Sequence, residues 1–541
     1  MVNNIPCVGA DKVDKLTAIL RKKFGLHGAI RDGGFSLPVD PATGLTKGYA
    51  FVEYETVEQA RAACADLDGY ALDKSHTFAA TLFDEVVRLG RVPEAYAPPV
   101  PKPAEPVGDL LSWLSDPRGR DQFVARYADE TEICWNDAAR QLAEEVYKRP
   151  FWTEAPFVVW SPQGALVATL HRQGVAVWGG PEFRRVARFS QAEVQRLAFS
   201  PCETYVAAYS EVAPAGPRGA AGFILNVFEV RTGRKLRTFE GPQADFAVGA
   251  ALRQDGGLAW PAFKWSGGDS PGAPRFLAHL KPNAISVYAS PDMAMLDKRS
   301  IKAEGVVAFE WSPGDAVLCA YQEEQGNLPA RVVLVSLPSR EEVRAKNLFS
   351  VADVKMAWHP QGDYLAVRVE KWTKTRKSTT TNLELFSLRE RNVPVDMLEL
   401  PNKAEKVMAV AWEPRGHRFA ALHGGADGRP SVSIYSMRDP KSGAATGVHL
   451  LHHLPNKQAS SLHWSPAGRF LLLAGLGGGH NGKLEWWDAD EGAIMAAGEH
   501  FMATELEWDP TGRFVATCVT AVNSMENGYF VWSFSGQLLY K

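Results

Sequence analysis

Across most of the chain, apolar and polar positions alternate in short runs, and one kind of turn separates them. Leu462-His463-Trp464 is an apolar run ending in an aromatic, Ser465-Pro466-Ala467-Gly468 interrupts it, and Phe470-Leu471-Leu472-Leu473 resumes it. Proline has no backbone N–H and ends the first strand, while glycine supplies the backbone conformation of the turn. The pattern recurs at Trp160-Ser161-Pro162-Gln163-Gly164, Phe199-Ser200-Pro201, Trp311-Ser312-Pro313-Gly314, Trp358-His359-Pro360-Gln361-Gly362, Trp412-Glu413-Pro414-Arg415-Gly416 and Trp508-Asp509-Pro510-Thr511-Gly512. A degenerate copy, Trp265-Ser266-Gly267-Gly268, precedes Arg275-Phe276-Leu277-Ala278. The steps from aromatic to aromatic are 39, 66, 46, 47, 54, 52 and 44 residues.

Self-similarity at this period predicts an all-β, WD-like propeller in which each repeat is one blade. The third strands give a second count. Apolar runs end near Trp135, Trp178, Phe228, Tyr288, Val335, Phe386, Tyr435, Trp487 and Trp532, which makes nine against eight hairpins. Leu111-Ser112-Trp113-Leu114-Ser115-Asp116-Pro117-Arg118-Gly119 supplies a ninth hairpin, because Trp113 lies 47 residues before Trp160. Nine blades are therefore expected, with eight as the alternative. The last strand is expected at Gln537–Tyr540.

The first ninety residues follow another rhythm. A strand near Val2–Val8, a helix over Asp11–Phe24, strands around Ala29–Leu37 and Tyr49–Tyr54, a helix over Val57–Leu67 and a last strand near Thr77–Phe83 give the order βαββαβ. Thr56 with Gln59 has capping-box spacing at the start of the second helix. Lys47-Gly48-Tyr49-Ala50-Phe51-Val52-Glu53-Tyr54 satisfies every position of the longer RNA-recognition-motif signature, and this α+β domain is identified as a member of that fold. Tyr49 and Phe51 fall on one sheet face, where such domains stack bases, with Lys47 at its edge. The shorter signature reads Met1-Val2-Asn3-Asn4-Ile5 and lacks the aromatic that normally completes the platform. Residues 1–90 carry 10 Lys plus Arg against 12 Asp plus Glu, a net of −2, so phosphate attraction is weak. A helical face gripping a protein peptide is the preferred reading for this domain. Prolines at 93, 98, 99, 101, 103 and 106 make a stiff spacer. The expected organisation is thus multidomain: 1–88 RNA-recognition motif, 89–107 linker and 108–541 propeller.

Composition narrows the function classes. A net charge of −3 over 541 residues gives no whole-molecule basic field, so any nucleic-acid contact is a local patch. The six cysteines are scattered singly through apolar stretches, the usage of a reducing compartment. No apolar run is long enough to span a membrane, and the expected location is cytoplasmic.

Three enzyme-like spellings fail on context. Gly268-Asp269-Ser270-Pro271-Gly272 spells a nucleophile elbow, but Pro271 lacks the N–H that the oxyanion site needs. Gly477-Gly478-Gly479-His480-Asn481-Gly482 has dinucleotide-loop spacing, but a strand, Lys483-Leu484-Glu485-Trp486-Trp487, follows where a helix is required. His449, His452 and His453 sit on a strand with no fourth metal ligand nearby. Neither a catalytic site, a metal nor a cofactor is expected. The strongest local patch is Lys371-Trp372-Thr373-Lys374-Thr375-Arg376-Lys377, a projecting hairpin between the strands Tyr364–Val369 and Leu383–Phe386. Its cations Lys371, Lys374, Arg376 and Lys377 suit phosphates, and Trp372 suits a base or sugar.

The order of segments is more specific than any one of them. An RNA-recognition motif, a proline-rich spacer, Arg120-Asp121-Gln122-Phe123-Val124, Glu130-Thr131-Glu132-Ile133-Cys134-Trp135-Asn136-Asp137 and an irregular WD-like array together resemble the b-subunit family of eukaryotic translation initiation factor 3. Leu72-Asp73-Lys74-Ser75-His76-Thr77-Phe78 is also similar to that family's segment at the end of its motif. The resemblance implies a nine-bladed propeller in a non-catalytic scaffold. It implies a hetero-oligomer with the factor's a, i, g and j subunits, and contact with the small ribosomal subunit and its rRNA, for which the basic hairpin is the candidate, the alternative for that hairpin being a solvated loop tip. It implies that the motif grips the j subunit as a peptide, with Lys74, His76 and Phe78 as candidates for that face. A tail beyond Lys541 holding the i and g subunits, and an extension before the motif, are also implied. The competing reading is a propeller hydrolase with an accessory RNA-recognition motif.

Overall fold

The structure is a computed structural model that describes residues 1–91, 108–127, 129–154, 158–213, 222–242, 262–267, 275–400, 402, 404–425, 428–477, 479–520 and 528–541. The chain divides into two compact units, Met1–Val100 and Pro101–Lys541. The proline-rich spacer and the Gly268–Gly272 stretch lie outside the described residues.

In the first unit the strands β1 (Val2–Asn3), β2 (Ile30–Ser36), β3 (Tyr49–Tyr54) and β4 (Ala79–Ala80) form one sheet in the order β2-β3-β1-β4. Helices α1 (Ala10–Phe24) and α2 (Val57–Leu67) bury Leu16, Leu20, Phe24, Ala63 and Leu67 against Val2, Ile5, Ala50 and Phe78. The capping box at α2 is formed: Gln59 N–H donates to the Thr56 hydroxyl, and the Gln59 side chain accepts from Thr56 N–H. Such a cap contributes about 1 kcal/mol. The last strand differs from expectation. It is only Ala79–Ala80, and Phe83 opens a third helix, α3 (Phe83–Gly90), with Asp84 and Glu85 in its first turn and Arg88 in its last. That charge order matches the helix dipole and outweighs the short β pattern.

The second unit contains, among the described residues, nine consecutive antiparallel sheets, eight of at least four strands and one, the first, of three. Each of the nine third-strand aromatic or apolar ends read from the sequence lies within two residues of the end of such a strand. The sheets fit a propeller. Sheet 1 (Gln122–Tyr127, Glu130–Asp137, Leu142–Pro150) lacks a first strand among the described residues. Ser112–Ser115 is a 3₁₀ turn, not the strand expected there. The Asp109 side chain accepts from Leu111 N–H and starts a turn, a local bond that competes with pairing. Trp113 instead donates its indole N–H to the Gly164 carbonyl in the hairpin of sheet 2 (3.1 Å).

The repeated hairpin acts at two levels. Within a sheet, the residue after the aromatic closes the turn. Ser161 N–H donates to the Leu166 carbonyl while the Ser161 hydroxyl accepts the Leu166 N–H, and Ser200 and Ser266 do the same with Tyr205 and Phe276. Between sheets, the aromatic reaches backward. Trp265 Nε1 donates to the Ala198 carbonyl (3.1 Å), Trp311 to Lys264 (3.0 Å), Trp412 to Ala357 (2.9 Å), Trp464 to Ala411 (3.0 Å) and Trp508 to His463 (3.3 Å). In every case the acceptor is the residue before the preceding sheet's own aromatic. The same rings stack on the sheet behind: Trp265 on Tyr205, Trp311 on Phe276 and Trp412 on Tyr364, with interplanar angles of 17°, 10° and 11°. The turns also mesh. A Cβ on Gly314 would stand 2.2 Å from the Gln361 carbonyl oxygen, and one on Gly512, at φ +73°, would stand 2.3 Å from Ser465 Oγ.

The first and last sheets meet and close the ring. Arg513 donates to the Gly119 carbonyl (2.6 Å) and to Asp121 (3.3 Å), Tyr540 donates to the Asn136 side chain (2.9 Å), and the rings of Phe123 and Tyr529 lie 5.5 Å apart. Away from that seam, Trp178 and Trp532 tie third strands to second strands through the hydroxyls of Thr169 and Thr517, which also meet His171 and His500. Among the described residues, no helix is long and apolar enough to cross a membrane.

The ladder and the seam each make a testable demand. Trp358 Nε1 is buried without an acceptor, whereas Trp412 Nε1 has one. Trp412→Phe therefore takes the donor from the part-buried Ala357 carbonyl and costs about 1–3 kcal/mol, while Trp358→Phe removes an unpaired donor and costs less. Chemical denaturation of the two variants checks this, and equal losses contradict the ladder. At the seam, burial and then the neighbouring Asp509 carboxylate push the Asp121 carboxyl up to about 6, against the pull of Arg513. A carboxyl raised above its unfolded value near 4 binds its proton more tightly when folded, so stability falls as pH rises from about 4 to about 6. Asp121→Asn is expected to raise the melting temperature near neutral pH and to change it little near pH 4. A shift of the same size at both pH values argues against the assignment.

Candidate nucleic-acid and peptide interfaces

The sheet face of the first unit carries half of a stacking platform. Tyr49 and Phe51 are half-buried on β3 with ring centroids 5.6 Å apart, edge to face. On β1, Asn3 is paired opposite Tyr49, so a polar residue occupies the place of an additional aromatic. Phe83 of α3 then packs edge-on against Phe51 (5.8 Å), so the third helix covers part of the face that would receive a base. Lys47 is exposed at the start of β3. Sequence reasoning missed Phe83 as part of this face because it placed that residue in a strand.

The proposed peptide face separates into two environments. Asp73 organises the loop before β4: its carboxylate accepts from Ser75 N–H (2.7 Å), His76 N–H (2.9 Å) and His76 Nδ1 (2.9 Å). The Ser75 N–H, followed by the His76 ring, holds the Asp73 carboxyl below the usual carboxylate range. Lys74 is exposed and His76 half-buried in this loop. Phe78 is not on the surface. It is 2% exposed and lies in the core between Phe24 (5.8 Å) and Tyr70 (5.7 Å). The apolar alternation that marked Phe78 comes from core packing, and it cannot serve as a peptide contact. Beside this loop, Lys23 sits over the partly exposed Tyr70 ring (3.8 Å).

In the second unit, the basic hairpin joins the second and third strands of sheet 6 (Val351–Trp358, Tyr364–Trp372, Thr379–Ser387, Val395–Glu399). Its arms are longer than the sequence suggested, so Lys371 and Trp372 end a strand and only Thr373–Ser378 form the tip. The tip is fixed by Thr373 N–H to the Ser378 carbonyl (2.9 Å), by the Thr373 hydroxyl to the same carbonyl (3.0 Å) and by Arg376 N–H to the Thr373 carbonyl (2.8 Å). Trp372 is 42% exposed.

The four cations are not equivalent. Lys371 lies 3.8 Å from Glu384, a carboxylate only 2% exposed that also pairs with Lys346 of sheet 5 (3.3 Å) and accepts from Asn382 (2.9 Å). Lys371 therefore neutralises a buried acid and is not free for a phosphate, which corrects the sequence reading. Glu370 is engaged by Lys406 (2.8 Å) and the Thr379 hydroxyl, and Asp353 by Arg368 (3.0 Å). Lys374, Arg376 and Lys377 are exposed, and no ion pair to them is found among the described residues. The carboxylates at the base of the hairpin are thus taken up by other cations, leaving three positive charges at the tip.

Two of the enzyme-like patterns fall on described residues. Gly477–Gly482 joins the strands Phe470–Ala474 and Lys483–Asp488, with no helix after it; Gly478 lies outside the described residues. His449 meets the Thr446 hydroxyl and His453 meets Ser433, while His452 packs on Gly492. No metal-binding cluster occurs among the described residues. One relay escaped the sequence reading because its members are distant in the chain: Glu405 to His423 Nδ1 (2.5 Å), and His423 Nε2 to Ser433 Oγ (2.8 Å). It has the connectivity of a serine hydrolase, but Ser433 is 2% exposed in mid-strand and its hydroxyl also meets His453 (3.0 Å). A nucleophile sealed from substrate cannot act, and the relay ties together the strands of sheet 7 (Lys406–Trp412, Arg418–Gly424, Ser431–Ser436, His449–Leu454).

Comparison with known proteins supplies the family. The profile described as “RNA recognition motif” matches residues 19–76, and that described as “Eukaryotic translation initiation factor eIF2A” matches residues 346–541. A Nicotiana tabacum protein, named as the b subunit of eukaryotic translation initiation factor 3, is 47% identical over 543 residues, covering 100% of this chain and 74% of that protein. A protein of Xenopus laevis with the same name is 37% identical over 544 residues, again covering 100% and 74%. A solved structure described as “Crystal structure of the eukaryotic initiation factor” superposes with a TM-score of 0.61 at 20% identity, over 77% of this chain and 95% of that one, and so shares its fold. Being 47% identical along the whole of its own length to such a relative, the chain belongs to the b-subunit family of eukaryotic translation initiation factor 3.

Proposed function

We propose that this chain is a non-catalytic scaffold of eukaryotic translation initiation factor 3, working in the cytoplasm as a nine-bladed propeller with an RNA-recognition motif before it. The boundaries assigned are 1–88, 89–107 and 108–541. The observation that carries the reading is the end-to-end match to the b-subunit family, which leaves no part of the chain unaccounted for. The chain's partners are the factor's a, i, g and j subunits; the propeller presents its rims to the a subunit and to the small ribosomal subunit, and the tip of the sheet 6 hairpin meets rRNA. Three exposed cations on a rigid turn, with the nearby acids already neutralised, support that contact. The RNA-recognition motif holds the j subunit as a peptide. A net charge of −2 over residues 1–90 and a sheet face partly covered by Phe83 favour peptide over RNA there.

Affinity purification tests the scaffold reading: the chain is expected to bring down other factor subunits and small ribosomal subunits. A chain that runs free of both refutes it. Lys374→Glu, Arg376→Glu and Lys377→Glu combined are expected to weaken attachment to small ribosomal subunits by at least roughly tenfold and to flatten its salt dependence, each lost phosphate contact reducing the slope by about one. Replacing Tyr49 and Phe51 by Leu should leave the affinity for the j subunit unchanged, as titration calorimetry would show. A large loss in that variant would move the peptide site to the sheet face.

A further inference from the structure

The hairpin tip does not stand alone. The turn between the fourth strand of sheet 5 (Glu342–Leu348) and the first strand of sheet 6 is Phe349-Ser350, and Phe349 is 67% exposed. Ser350 has φ +55° and accepts Trp372 N–H on its carbonyl (2.7 Å). That bond fixes the backbone of Phe349 one residue from the position paired with Trp372. Two exposed aromatic residues from different strands are therefore held at one edge, at the base of a tip that carries three exposed cations.

We infer that Phe349 and Trp372, with Lys374, Arg376 and Lys377, form a site for single-stranded RNA, the aromatics taking unstacked bases and the cations taking the phosphates between them. This rests on the scaffold reading and names the kind of nucleic acid the hairpin selects. Exposed aromatic side chains cost solvation unless something flat covers them, and every base has a flat face whatever its identity. A duplex hides its bases and offers only phosphate, for which Phe349 has no use. The hairpin and the turn are closed by backbone bonds, so little ordering is required on binding. The field also has a direction. The neighbouring loop of sheet 5 carries the exposed acids Glu323 and Glu324, which turn a polyanion away. On the other side, a cleft of about 310 Å³ in the second unit is lined by the exposed Arg429 and by His480, on loops that follow around the same rim; Lys457, also in its lining, is paired with Glu485 (2.8 Å). The strand is expected to run from the sheet 6 hairpin toward sheets 7 and 8.

The test uses the full chain with Tyr49 and Phe51 replaced by Leu, so that the RNA-recognition-motif face cannot stack. Fluorescence anisotropy compares a labelled oligouridine with a blunt RNA duplex of the same length and with an oligoglutamate peptide. The oligouridine is expected to bind most tightly. Phe349→Ala and Trp372→Ala are each expected to weaken it roughly tenfold with the salt slope unchanged, whereas Lys374→Glu with Arg376→Glu and Lys377→Glu flattens the slope. Far-ultraviolet circular dichroism and melting of each variant confirm that both exposed positions leave the fold intact. Equal binding of duplex and single strand, tighter binding of oligoglutamate, or indifference to both aromatic substitutions overturns the inference. Co-sedimentation with small ribosomal subunits separates it from the scaffold reading. If the unsubstituted chain fails to sediment with them but binds oligouridine through Phe349 and Trp372, the scaffold reading falls and this one stands.

Discussion

The second unit depends on one bond repeated around the ring, the indole N–H of a first-strand tryptophan donating to the carbonyl just before the preceding aromatic. Adjacent sheets of a propeller are not joined edge to edge, so backbone ladders cannot bind them together. The indole supplies a directional tie, and its ring supplies buried area stacked on Tyr205, Phe276 or Tyr364. The ladder has gaps. Phe199 has no N–H to give, Trp358 is buried without an acceptor, and the three-stranded sheet 1 has no first-strand aromatic among the described residues. Closure there passes to Arg513, Tyr540 and a buried carboxyl, a more polar joint than the others.

Much of this was legible in the sequence because the signals were repeated or local. A Trp-Ser-Pro-Gly turn encodes its own closure: the serine hydroxyl meets an N–H five residues on. The capping box at Thr56 and the strand Tyr49–Tyr54 were equally readable. Failures came where one apolar residue had two plausible partners. Phe78 and Phe83 both continue the alternation of a last strand, but Phe78 sinks between two aromatics while Phe83 starts a helix. Leu111–Leu114 looked like a first strand until Asp109 drew it into a turn. The candidate site was half legible. The basic run was plain, but the pairing of Lys371 with a buried acid, and the approach of Phe349 from the preceding strand, are products of register that no local pattern announces.

Electrostatics and packing cooperate at sheet 6. Glu384 costs desolvation where it is buried, and that cost is offset by Lys371 from its own sheet and Lys346 from the one before. The pairing adds a tie from sheet 5 to sheet 6, the sheet whose first-strand tryptophan, Trp358, has an unpaired indole. It also separates the hairpin into a structural base and a free tip, so that charge at the tip can change without disturbing the sheet beneath.

The meshing of the hairpin turns has a consequence for how such a chain can vary. Where a Cβ would strike the neighbouring turn, as at Gly314 and Gly512, there is no room for an inserted residue. Length variation is thereby expelled from these turns into the other connections: second strand to third, fourth to the next sheet, and, between Ser436 and His449, third to fourth. The unequal steps of 39 to 66 residues are that expulsion made visible. The meshed turns keep a fixed geometry; the remaining connections are free to acquire length or charge, and recognition can diversify there while the ring keeps its shape.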